Sequence, residues 1–300
     1  MVFLNSCLFT EKIKNTIIFV GLVFFSSITT VSAETNPNKP KRIVSINLCT
    51  DQLLMALVET ERIISVSHLS RDPSISSFSG SANTLHINYG TAEEIYHLKP
   101  DLVLAGEYSK KNVVGVIKEL GLNIVTVEVA NSLKSMRSNL LKVAAVLGEE
   151  AKAKILVSKI DNLFLSKNTY AEKPVAIVWR ARGLTDGRGS LVHDLLQAHG
   201  FRNLSEILGR GAVGNINLEQ IIIARPELVI IPDPKQDYPS LSQLLFKHPA
   251  LRSLDRGTKP WLRIIKIPEW GLICGGPQVL KAFEVLASAR LDLLNNKQTR

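Results

Sequence analysis

The chain has 300 residues, 45% of them hydrophobic and 21% charged. That is enough for about two domains and a large core, with none of the bias of disordered, collagen-like, coiled-coil or low-complexity chains. The net charge of +9 is carried by Lys and Arg scattered along the sequence, and without an RNP, zinc-finger or basic-zipper pattern nucleic acid is not an expected partner.

The first segment reads as an address. Lys12 and Lys14 precede an apolar run from Thr16 to Ile28, and Val31-Ser32-Ala33 offers small residues for cleavage. This is the layout of a secretory signal peptide over residues 1–33; the run is short for a membrane span, which needs about 20 residues. No Leu-x-x-Cys lipobox closes the run, and Cys7 lies ahead of it. The expected product is therefore a free periplasmic protein of charge +8, cleaved after Ala33. Three cysteines are too few for a disulfide scaffold. Only Cys49 and Cys274 remain after cleavage, and sequence alone does not establish whether they can meet.

From residue 40 strands and helices alternate, which predicts an α/β fold with parallel-sheet cores. Strands are expected at Arg42–Asn47, Arg62–Ser67, Leu102–Ala105 and Asn123–Val127. Helices are expected at Thr50–Val58 (capped by Thr50 or Asp51), Thr91–Leu98 and Asn112–Leu120, the last stopped by Gly121. Two long helical stretches follow, Ser132–Leu147 and Glu149–Ser166, parted by Gly148. The pattern then restarts with a strand at Pro174–Trp179 and helices at Ser190–His199 and Asn217–Ile223. A strand at Leu228–Ile231 follows, then segments at Leu241–Phe246 and Trp261–Ile267, and a final helix from Pro277 to Leu294. This divides the chain into a first lobe over 34–147, a connecting helix over 148–170 and a second lobe over 171–300.

An internal echo supports two related lobes. Residues 93–105 read EEIYHLKPDLVLA and residues 219–231 read EQIIIARPELVII. Each is a short helix, a base, a proline break, an acid and a buried strand. Glu93 and Glu219 open the two phrases in the first helical turn, where the helix dipole favours a carboxylate. Glu94 has a local role available in a Thr91-x-x-Glu94 capping box.

The order of these features resembles that of the periplasmic iron-chelate and cobalamin binding proteins of ABC importers: signal peptide, Arg42-Ile43-Val44-Ser45 strand, Glu93-to-Ala105 phrase, connecting helix, and Glu219-to-Ile231 phrase. The resemblance spans about residues 41–295. It implies two Rossmann-like lobes joined by one long rigid α-helix, with the ligand in the cleft between them. It implies no catalysis and no resident cofactor, the cargo being a chelate of iron or cobalt. The implied partner is an inner-membrane ABC permease dimer with cytoplasmic ATPases, met by a monomer through one glutamate per lobe, Glu93 and Glu219.

Open α/β sheets bind ligands at the carboxyl ends of their strands. Transferred loosely to such loops, the resemblance places ligand contacts at Asn47, Cys49, Thr50, Asp51, His68, Ser70, Arg71, Asn88, Tyr89 and Tyr108 in the first lobe. In the second it places them at Trp179, Arg180, Arg182, Trp270 and Cys274. Aromatic rings would stack on a flat macrocycle or catecholate, and arginines would pair with an anionic chelate. For Cys49 and Cys274 three states stay open: a disulfide across the lobes, thiol ligands to a bound metal, or inert thiols.

Other motifs fail their context. Gly209-x-Gly211-x-x-Gly214 does not follow a strand, and the glycine-rich stretch 183–189 lacks the Gly-Lys-Ser/Thr of a P-loop. No G-x-S-x-G elbow suggests a hydrolase. None of the six histidines forms a metal-ligand pair, so no metal site of the protein's own is expected. Heme held through Tyr89, Tyr108, His68 or His86 is the alternative cargo, as is a metal ion with His68 and His86 among its ligands, while the rival of another class is a secreted α/β enzyme.

Overall fold

The computed structural model describes residues 39–165, 172–233, 246, 248–256 and 261–298. The signal-peptide segment, the end of the connecting helix at 166–170 and the segment at 241–245 lie outside them. Among the described residues no helix is long and apolar enough to cross a membrane.

The first lobe is a five-stranded parallel sheet. Its strands are β1 (Ile43–Ser45), β2 (Ile63–Ser67), β3 (His86–Asn88), β4 (Leu102–Gly106) and β5 (Ile124–Val127), in spatial order β3-β2-β1-β4-β5. The crossovers carry α1 (Leu48–Leu57), α2 (Ser79–Ala82), α3 (Ala92–His97) and α4 (Lys111–Glu119). Then α5 (Leu133–Leu147) and α6 (Glu150–Leu165) lie against one another, joined by an Arg137–Asp161 ion pair. Their turn is made by Gly148, whose φ of 69° is left-handed. A Ser132–Ser135 capping box starts α5. Glu149 fixes the junction, paired with Arg62 ahead of β2 and with Lys39.

The second lobe is a four-stranded parallel sheet of β6 (Val175–Val178), β8 (Arg202–Asn203), β10 (Leu228–Pro232) and β11 (Arg263–Ile267), ordered β11-β10-β6-β8. A small antiparallel pair, β7 (Leu184–Thr185) with β9 (Gly214–Asn215), stands beside it. The helices are α7 (Leu191–Ala198), α8 (Leu204–Ile207), α9 (Leu218–Ala224), α10 (Pro249–Arg256), α11 (Trp270–Ile273) and α12 (Val279–Gln298). The last begins two residues after Pro277, which instead closes a turn by accepting from the Leu280 amide.

The echo is a repeated hydrogen-bond circuit. In the first lobe Asp101 donates its amide to the Arg42 carbonyl and accepts the Arg42 amide on its carboxylate. In the second, Glu227 does the same with Val175. Each acid thus locks the start of its lobe's central strand, β1 or β6, beside β4 or β10. The bases before the prolines, Lys99 and Arg225, are both left-handed, with φ of 47° and 49°. That conformation costs a side-chain-bearing residue roughly 1–2 kcal/mol, so the sharp exit into the strand is held by its surroundings. Arg42 contributes by capping the end of α3, donating to the carbonyls of Leu98 and Lys99.

The described residues form one packed unit. A single buried cluster runs from Ile43 and Leu104 in the first sheet through Met136 and Leu140 of α5 to Leu191 and Leu195 of α7. It continues to Val178 and Ile230 in the second sheet. Phe164 of α6 meets Phe283 of α12 edge to face at 4.8 Å. The lobes meet tightly at Gly275, where a β-carbon would stand 2.2 Å from Ala130 Cβ of the other lobe. Overpacking of this kind costs about 1–3 kcal/mol. Gly275→Ala is therefore expected to lower the urea midpoint by that equivalent, whereas Gly115→Ala, with open space around it, should not.

Candidate functional site

In both sheets the chain winds outward in two directions from a central pair, β1/β4 and β6/β10, and ligands of open α/β sheets sit at such switch points. A cavity of about 130 Å³ lies at the switch point of the first sheet, its lining completed by the segment at the end of α11 in the second lobe. From the first lobe come the loop after β1 (Asn47, Cys49, Thr50), the loop after β4 (Gly106, Glu107, Tyr108) and the loop after β5 (Glu128, Val129, Ala130), with Leu53 and Asn139 beneath. Ile273, Cys274 and Gly275 come from the second. Asn47 is the N-cap of α1, accepting from the Cys49 amide at 2.9 Å. Gly106 makes room for it: a β-carbon there would be 2.5 Å from Asn47 Cγ.

Cys49 and Cys274 are joined by a disulfide across this cavity, with Cα atoms 5.2 Å apart and 225 positions between them. Of the three open states this excludes metal-bound and inert thiols in the oxidised protein. A second tie lies nearby: the Asp194 carboxylate of α7 accepts the Leu133 amide at the start of α5, at 2.9 Å. Closing so long a loop removes denatured-state entropy worth about 5 kcal/mol in the chain model, with measured values about 2–4 kcal/mol. Reduction by a phosphine is accordingly expected to lower the urea-derived stability by about 2–4 kcal/mol.

The expected contact residues divide by position. Asn47, Cys49, Thr50, Tyr108 and Cys274 line the cavity. Thr50 is itself buried, bonded to Ser45 and the Asn47 carbonyl. Tyr89 and His68 stack on one another, ring centroids 5.0 Å apart, on exposed neighbouring loops; Tyr108 is 83% exposed. Arg71 is spent on the carbonyls of Ala82 and Leu85, and Arg180 on Asp186 and Glu269. Arg182 is exposed and left-handed. Trp270, half-buried, opens α11. The basic lining expected for an anionic chelate is therefore missing from the cavity itself, whose charged residues are Glu107 and Glu128. Sequence reasoning missed both, although each directly follows a strand end.

Four expected contacts are corrected by burial. Trp179 belongs to the second lobe's core, because a bridge to Thr185 prolongs β6 by one residue. Its indole donates to the Ile216 carbonyl at 2.8 Å, and its ring meets Phe246. Asn88 is buried, donating to Ser45 O and Ser65 Oγ. Ser70 is buried, donating to Asp51 at 2.7 Å. Asp51 is buried because α1 starts at Leu48, earlier than expected, which turns this side chain inward. Trp179→Phe should cost about 1–3 kcal/mol by stranding the Ile216 carbonyl, seen as a lower thermal midpoint.

Asp51 accepts the amide and hydroxyl of Ser67 and the hydroxyl of Ser70. It thereby anchors the turn His68–Arg71 that carries His68 to the surface. Burial raises its carboxyl from 3.8 to about 6, against the pull of those serine donors. The folded state thus holds this proton more tightly than the unfolded chain. Its stabilising effect is complete below about pH 4 and is lost as pH rises through about 6, a difference of about 3 kcal/mol. Denaturant midpoints followed from pH 4 to 7 should show this decline in the wild type, and Asp51→Asn should flatten it.

Glu93 and Glu219 are both exposed, in the first turns of α3 and α9. On the same helical faces one turn later stand Tyr96, 50% exposed, and Ile223, 81% exposed. The capping box at α3 is half formed: Thr91 accepts the Glu94 amide, but Glu94 takes the Tyr89 amide. It thus steadies the Tyr89 loop. Among the described residues no group of three or more His, Cys, Asp or Glu is arranged to hold a metal ion.

Residues 43–256 match the family model described as periplasmic binding protein. No curated protein sequence matches significantly. Among solved structures, the periplasmic heme-binding protein of Roseiflexus sp. RS-1 in apo form superposes with a TM-score of 0.66 at 21% identity, over 84% of this chain and 97% of that one. The periplasmic vitamin B12 binding protein of Vibrio cholerae gives 0.61 at 15% identity, over 84% and 96%. An ABC-type Fe3+-hydroxamate transport protein of Saccharomonospora viridis gives 0.62 at 14% identity, over 84% and 93%.

Proposed function

The chain belongs to the periplasmic binding protein family, and on that footing we propose that it captures a metal chelate, an iron–siderophore or a corrinoid, for an ABC importer. It is a binding protein rather than an enzyme. The observation that carries the reading is the two-lobed cleft at the strand carboxyl ends of two parallel sheets. The fold is shared with proteins described as heme-binding, as vitamin B12 binding and as an ABC-type Fe3+-hydroxamate transport system.

The cavity is smaller than the roughly 300–1,000 Å³ of usual ligand pockets. An edge or substituent of the chelate enters it, while the bulk lies over the mouth against Tyr108. Heme is a second reading, favoured by the exposed Tyr108 phenol at that mouth, since tyrosinate is an established heme-iron ligand. Residues 1–33 serve as the cleaved export signal.

Delivery proceeds by docking of the monomer on the dimeric inner-membrane permease, with Glu93 on one lobe and Glu219 on the other pairing with basic groups. Tyr96 and Ile223, beside those carboxylates, add apolar contact, as buried anchors ringed by polar groups dominate interface energies. Glu93→Ala with Glu219→Ala should abolish uptake into cells while chelate affinity stays within twofold. Lost affinity with normal uptake would contradict the assignment.

Residues 34–300 titrated with cyanocobalamin, followed by calorimetry, should show saturable one-to-one binding if the cargo is a corrinoid. No heat moves the assignment to a ferric siderophore or heme, titrated next as ferrichrome and hemin.

A further inference from the structure

We propose that the Cys49–Cys274 bond is a specificity-determining clamp, which holds the cleft at one width so that cargo loads and leaves at its rim without the lobes separating. The inference rests on the reading of this cleft as the chelate site.

The lobes are linked twice. One link is the chain itself through α6, none of whose residues lines the cavity. The other is the disulfide, whose two cysteines are part of the cavity wall. A pair of lobes joined by one helix can rock about that helix. A second covalent link at the cleft closes a ring and removes that freedom. Disulfides tolerate Cα separations up to about 6.8 Å, and here the separation is 5.2 Å. The lobes can part by only about 1.5 Å at this point before the bond itself resists.

Two neighbouring contacts act in the same sense. Gly275, next to Cys274, is packed against Ala130 with no room for a β-carbon. The Leu133 amide is held by Asp194. The lobes are thus tied in and beside the cavity wall by a bond, a close Gly275–Ala130 approach and a charge-assisted hydrogen bond.

Such a fixed wall sorts cargo by shape. A chelate cannot be engulfed between spreading lobes; it must present an edge narrow enough for the preformed cavity, and its remainder is unrestricted outside. Bulky substituents on the outward side are tolerated, whereas thickness at the inserted edge is not.

The test compares residues 34–300 as oxidised wild type, as the C49S/C274S double variant, and as wild type reduced with tris(carboxyethyl)phosphine. Thiol titration of the native oxidised protein should find no free thiol. Hydrogen exchange at the Leu133 amide and across residues 130–136 should be at least tenfold faster in the reduced and variant proteins, with β1 and β4 unchanged. Bound hemin or cyanocobalamin should dissociate at least tenfold faster from both. Two free thiols in the oxidised protein, or equal exchange and dissociation rates in all three, would overturn the proposal. Faster exchange with neither chelate bound by any form would uphold the clamp and remove the chelate reading instead. If the double variant does not fold, the reduced wild type reads the same quantities.

Discussion

The strands of both sheets run parallel, so every strand of a lobe ends on the same side. A parallel strand pair needs a crossover, and crossovers are right-handed because twisted strands and right-handed helices pack only that way. Once β1 and β6 are set as central strands, the loops after β1, β4 and β5 must emerge together, as must those after β6 and β11. The Asp101 and Glu227 circuits perform that setting, since each carboxylate ties the strand that leaves its own phrase to the central strand of its lobe. The cleft follows from where these loops converge, and the shared core of Met136, Leu140, Leu191 and Leu195 holds them facing one another.

Polar groups beneath the cleft are committed to structure rather than to solvent. Asn47 caps α1, Thr50 binds Ser45, Asn88 bridges Ser45 and Ser65, and Asp51 collects Ser67 and Ser70. Buried polar atoms are costly unless paired, and here the pairs cross between the ends of β1, β2 and β3. The surface loops therefore rest on a rigid polar bed, while the groups free to touch cargo are few and mainly aromatic.

Much of the fold was legible. Helix and strand alternation predicted the parallel α/β class, and the repeated Pro-acid phrase marked corresponding places in the two lobes because its chemistry is local. β3, β7, β8 and β9 were not predicted, since two or three residues carry no periodicity. The site was less legible. Asn47, rather than Thr50 or Asp51, caps α1, and that register difference sends Asp51 inward. Trp179 closes the expected strand and is expected in the cleft, yet its bridge to Thr185 keeps it in the core. Glu107 and Glu128 follow strand ends and were open to the rule that found Tyr108. Pairing of Cys49 with Cys274 depends on how two sheets dock, which no local pattern encodes.

The same pairing bears on how the protein matures. A chain beginning at residue 34 holds two cysteines and therefore one intramolecular connectivity. The first cysteine is made early and must wait for a partner 225 positions later. The first lobe, with all five of its strands complete before α6, can assemble during that wait. The bond is then a seal placed on two finished halves, and a shuffling isomerase would have nothing to correct.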